Sequence, residues 1–97
     1  MDKEIVKEMR AAIKAADLDH IREMIDKHAG ILDEVTIFGT FLADAASTGP
    51  IESVRFLVEA GADINAQSTR GLTPLHFANK FNTNPEVIKV LVELKAK

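Results

Sequence analysis

The chain repeats itself at an interval of 33 residues, and that period constrains its fold more than any other feature. Thr40 and Thr73 stand 33 positions apart, and at the same offset Leu42 matches Leu75 and Ala45 matches Ala78. One unit earlier, Ala12 matches Ala45, Leu18 matches Ile51, Ile21 matches Val54 and Arg22 matches Arg55. Met24 likewise matches Leu57, and Ile31 matches Ile64. In the last unit the offset grows to 34 through one residue inserted within 79–85. Glu52 then matches Glu86, Val54 matches Ile88, Leu57 matches Leu91 and Glu59 matches Glu93. So long a register defines three copies of one unit, spanning about residues 5–37, 38–70 and 71–97 of one domain, 1–97. A unit this short cannot hide its own apolar face, so the copies must stack.

Local signals say what each copy contains. Pro74 suits the first turn of a helix, where its missing N–H goes unused, and Thr73 before it offers a capping hydroxyl. Asp17 precedes the apolar run Leu18, Ile21, Met24, Ile25 and reads as another N-cap. Asn84-Pro85-Glu86 repeats the start signal as cap, proline and an acid favoured by the helix dipole. Ile51, Val54, Leu57 and Val58 share one helical face. Ala45, Ala46 and Ala78 are small enough for helices to approach closely, and Gly61 is a natural positive-φ terminator. Each unit is therefore expected to be a helix, a short loop, a second helix and a projecting turn. The expected fold is all-α: a solenoid of three stacked helix-turn-helix units with projecting β-turns.

This period, with Thr73-Pro74-Leu75-His76 after Gly71 and Gly61-Ala62-Asp63-Ile64-Asn65-Ala66 upstream, resembles the ankyrin repeat. The resemblance covers roughly residues 9–94. It is strong over Thr40–Asn79, while the first and last units diverge. Ala16 stands where the loop glycine would be and His28 where Gly61 is, so the first inter-helix turn is expected to be tighter or less regular. The chain ends at Lys97, before a third Gly-Ala-Asp element.

The resemblance implies a protein-binding module that uses its turn tips and the inner face of its first helices. By register those positions are Thr36, Ile37 and Gly39 in the first turn and Thr69, Arg70 and Leu72 in the second. Ser47 and Thr48 follow on the middle unit, Lys80 and Phe81 on the last, and Lys14 and Ala15 on the first. The stretch Asp33–Gly39 is unusually apolar for a projecting tip, with Phe38 in place of the glycine at 71, and an exposed apolar cluster marks an interaction site. Alternatively Val35 and Phe38 pack back onto the first helix around Ile5 and Met9. Phe81 would join Arg70 and Leu72 in a hot-spot trio, or tuck into the end of the stack. The resemblance also implies that His76 bonds to backbone and to the neighbouring unit's turn. Leu57 through Asn65 resembles the site that asparaginyl hydroxylases modify in ankyrin proteins; alternatively Asn65 satisfies backbone groups in its turn.

Other function classes find little support. A net charge of −3 and a pI of about 5.5 argue against nucleic acid as a partner. No stretch approaches the roughly 18 uninterrupted apolar residues of a membrane span. The opening Met1-Asp2-Lys3-Glu4 lacks the basic-then-apolar signature of a secretory signal, which fits a cytoplasmic protein. With no cysteine, thiolate metal sites and disulfides are excluded. His20 and His28 are eight positions apart, too far for one metal ion, and no glycine-rich phosphate loop or nucleophile with a local base occurs. No catalytic, cofactor-binding or metal-binding residue is expected. Acidic and basic residues are interspersed, as on solvated helix faces. The function expected is binding of another protein, as an adaptor or stoichiometric inhibitor, by a monomer. A structural alternative is a self-associating fragment of a longer array. Its apolar last helix, 87–94, lacks the neighbour that a fourth unit would supply, whereas Lys3, Glu4, Lys7, Glu8 and Arg10 give the first helix a polar cap.

Overall fold

The capping residues decide where the helices begin. A computed structural model describes residues 2–36, 39–81 and 84–94. Among the described residues six α-helices follow one another: α1 (Lys3–Ala15), α2 (Leu18–Lys27), α3 (Phe41–Thr48), α4 (Ile51–Glu59), α5 (Pro74–Phe81) and α6 (Pro85–Glu93). Asp2, Asp17, Thr40 and Asn84 each accept a first-turn amide with the side chain. At α5 the cap is reciprocal. The Thr73 Oγ1 accepts the His76 amide while His76 Nδ1 accepts the Thr73 amide at 3.0 Å, so His76 fills the role glutamate has in a capping box. The His76 ring bonds to Thr73, and residues 37 and 38 of the neighbouring turn lie outside the described residues. No strand forms among these residues; an isolated bridge joins Thr36 to Gly39.

The helices pair as hairpins, α1 on α2, α3 on α4 and α5 on α6, and the hairpins stack with α3 between α1 and α5. That central position explains why every residue from Phe41 to Ala46 is buried. Ala45, Ala46 and Ala78 lose all solvent contact, as close helix approach requires. Met9, Ile13, Ile21, Leu57, Val87 and Leu91 complete one apolar core running through all three hairpins. Each such side chain contributes roughly 1.5–3 kcal/mol by leaving water. A buried polar bond also crosses between hairpins. Ser53 Oγ on α4 donates to the Ile13 carbonyl at 2.6 Å, a second donor to an oxygen near the C-terminal end of α1 that also accepts the Ala16 amide at 3.1 Å.

The two inter-helix loops solve the same problem differently. Ala16 ends α1 in the left-handed region, φ 53, and the Asp17 amide reaches back to the Ala12 carbonyl at 3.0 Å. Gly49, at the same register one unit on, has an ordinary φ of −92. The first loop is thus a regular helix-ending turn, with alanine bearing its strain. His28 likewise lacks the positive φ of Gly61, and Gly30 supplies it two residues later. Relieving a left-handed alanine returns about 1–2 kcal/mol, and the looser unfolded chain takes back about 0.4–1. Ala16→Gly should therefore stabilise the fold by about 0.5–1 kcal/mol, seen as a higher urea midpoint at unchanged slope.

Candidate interaction surface

The second turn is pinned by its own serine. Ser68 Oγ accepts the Arg70 and Leu72 amides, and the Ser68 amide donates to the Leu72 carbonyl at 2.9 Å. Gly71, with φ 79, lets the chain reverse there. The bend leaves Thr69 and Arg70 exposed and Leu72 half-buried. In the first turn the Thr36 hydroxyl and amide both donate to the Gly39 carbonyl. Gly39 is buried: a Cβ there would sit 3.0 Å from Ala43 Cβ and 3.5 Å from Ser68 Cβ, so the two turns lie side by side. Ile37 and Phe38 lie outside the described residues. Val35 is 43% exposed, so this part of the turn faces solvent.

Phe81 is 57% exposed rather than tucked into the end of the stack. Its ring stacks on Phe77 at 6.2 Å and 27°, one helical turn away, and Lys80 Nζ lies 5.6 Å from its centre. Two hollows meet at these rings. One, of about 320 Å³, is walled by Arg10, Asp44, Ser47, Thr48, Phe77 and Phe81. The other, of about 500 Å³, is walled by Ser68, Thr69, Arg70, Leu72, Lys80 and the same two rings. A third, of about 200 Å³, continues past Arg10, Asp44 and Thr48 to Ala11 and Lys14. Ser47, Thr48, Thr69, Arg70, Leu72, Lys80 and Phe81 are thus brought onto one continuous groove. Thr36 and Ala15 line none of these hollows.

The groove also contains Arg10, Ala11, Asp44, Ser68 and Phe77, which the sequence did not single out as contact positions. Phe77 supports Phe81. Arg10 Nε donates to Asp44 Oδ2 at 3.0 Å, and Asp44 is only 6% exposed. The available signal was a lone acid inside an otherwise small and apolar helix, since burying a carboxylate requires a partner. Ser47 and Thr48, on the wall of the hollow, both donate their hydroxyl protons to the Asp44 carbonyl at 2.9 Å.

Outside the groove, two polar residues that draw attention have local partners. His20 Nε2 meets Glu8 Oε2 at 2.6 Å, and this hydrogen bond raises the imidazole pKa above its ordinary 6.5. A raised pKa makes the pair stabilising below about 6.5, and that contribution fades as pH climbs through the folded-state value. Among the described residues no group of three acids, histidines or cysteines could hold a metal ion. No described helix is long and apolar enough to cross a membrane. The half-buried Asn65 donates its amide to Asp63 Oδ1 at 2.9 Å, a local turn contact. At the C-terminal end Val92 is 57% exposed and Ile88 half-buried, but Asn79 is exposed where its register equivalent Ala46 is buried.

Comparison with known proteins agrees with this architecture. Residues 42–92 match a family model described as ankyrin repeats (many copies). The match begins in the second hairpin, where the sequence pattern is strongest. Over 85 residues the chain is 33% identical to Protein phosphatase 1 regulatory subunit 27 of Mus musculus and 32% identical to that of Homo sapiens. Each alignment takes in 87% of this chain and 54% of the relative. The chain therefore spans about half the length of the curated relatives it matches.

Proposed function

The chain belongs to the ankyrin-repeat family, and from that premise we propose that it is a non-catalytic module that binds another protein in the cytoplasm. Its contact surface in this reading is the groove together with the turn tips, and its units are the three repeats at about 5–37, 38–70 and 71–97. The observation that carries the proposal is convergence. Residues distant in sequence, on α3, on α5 and on the second turn, line a single preformed groove with an exposed aromatic at its centre. Preformed shape lowers the ordering cost of binding. The relatives' name, a phosphatase regulatory subunit, favours a regulatory role as adaptor or stoichiometric inhibitor.

The test starts from partners captured on the folded chain in a native lysate. One captured partner is then titrated against the wild type and against Arg70→Ala combined with Phe81→Ala. Both side chains are exposed, so the double variant should keep its fold. Truncating two hot-spot residues should weaken binding by at least about tenfold. Equal affinity would retire this surface. A second reading draws on the exposed Val92 and half-buried Ile88: self-association through the last hairpin. Light scattering after size exclusion distinguishes the two, because the module is expected to elute as a monomer.

A further inference from the structure

The groove carries charge of the opposite sign to the molecule. Its walls hold four cations, Arg10, Lys14, Arg70 and Lys80, and one carboxylate, Asp44. Four minus one leaves the groove at +3 within a chain of −3, so the rest of the molecule carries −6. Asp44 is buried against Arg10 and offers little field of its own. Lys14, Arg70 and Lys80 are exposed and make no ion pair among the described residues. Unneutralised cations at the edges of a low-dielectric hollow focus a positive potential into it. Between them lies an apolar floor of Phe77, Phe81 and Leu72.

Resting on the docking surface proposed above, we infer that the segment seated in this groove is an acidic peptide stretch of the partner with an apolar anchor. The carboxylates meet Lys14, Arg70 and Lys80, and one aromatic or branched side chain sits on the Phe77–Phe81 pair. Two observations favour a peptide over a nucleic-acid strand. The cations are few and flank an apolar floor. A strand with a charge on every residue would also run out of the groove onto a surface of −6.

The test uses fluorescence anisotropy with labelled peptides of one length and the intact chain. One peptide alternates Glu around a central Phe-Leu, a second has Ser for every Glu, and a third has Lys; an oligo-dT strand is the fourth probe. A single surface ion pair shifts affinity only a few-fold, so three together should favour the acidic peptide over its Ser counterpart by about tenfold. That gap should close as sodium chloride is raised. Arg70→Glu with Lys80→Glu should reverse the preference, while Phe81→Ala should weaken the acidic and Ser peptides alike. Circular dichroism confirms that each variant is folded. Acidic and Ser peptides binding equally, both lost in Phe81→Ala, would overturn the acidic preference and leave the groove standing. Acidic binding that ignores Arg70→Glu with Lys80→Glu would overturn it as well. Binding that ignores Phe81→Ala would remove the groove too. No peptide binding, or tighter binding of oligo-dT, would overturn the acidic-peptide inference.

Discussion

Phe41→Ala should destabilise the fold by about 3–5 kcal/mol, the cost of losing a buried aromatic and leaving a cavity. Phe41 is 2% exposed and opens α3, the helix packed on both sides by its neighbours. A domain of this kind has only about 5–15 kcal/mol in total, so one substitution removes a large share. Because each hairpin is held by the next, the loss falls on the stacking interfaces as well as on one unit. Urea denaturation should show a lower midpoint with an unchanged slope. A broadened or two-step transition would mean that the outer hairpins had uncoupled. A shift below about 1 kcal/mol would contradict the central place given to α3.

Gly49→Ala should cost about 1–3 kcal/mol, for reasons of space rather than conformation. The backbone at Gly49 has φ −92 and ψ 170, which any residue adopts. An added Cβ, however, would lie 2.8 Å from the Ala45 carbonyl oxygen and 3.2 Å from Ala45 Cα. Both atoms belong to the backbone of α3, so neither moves aside cheaply. The Gly49 amide also donates to that carbonyl at 2.7 Å, which holds the two segments together. Ala16→Gly at the equivalent loop should act with opposite sign, so the pair separates steric from conformational demand at one repeat position. Thermal melts of both variants beside the wild type would check this. No loss in Gly49→Ala would show that the α3–α4 loop relaxes more freely than its contacts indicate.

Much of this architecture was legible because repetition averages out local ambiguity. The register of Thr40 with Thr73 and of Val54 with Ile88 aligned the second hairpin with the third, and Asp17, Thr73 and Asn84 marked helix starts that the structure has. The groove was legible in part: register located Ser47, Thr48, Arg70 and Phe81, since stacked units carry equivalent positions to one face. Its charge was not. Arg10 and Lys14 belong to α1, Arg70 to the second turn and Lys80 to α5, and only stacking brings them to one hollow. Pairing across 34 residues, as between Arg10 and Asp44, leaves no periodic trace. Nor did composition reveal that Ala16 would take a left-handed turn, because tertiary packing forces that conformation against the residue's own preference.

The Ser53–Ile13 bond has a consequence for alignment. If the second hairpin slid along the first by one helical turn, the serine hydroxyl would stay buried and lose its acceptor. That loss is dearer than a misplaced methyl group, because apolar surfaces tolerate sliding and a stranded donor does not. One short contact therefore favours this seating of hairpin on hairpin over its neighbours.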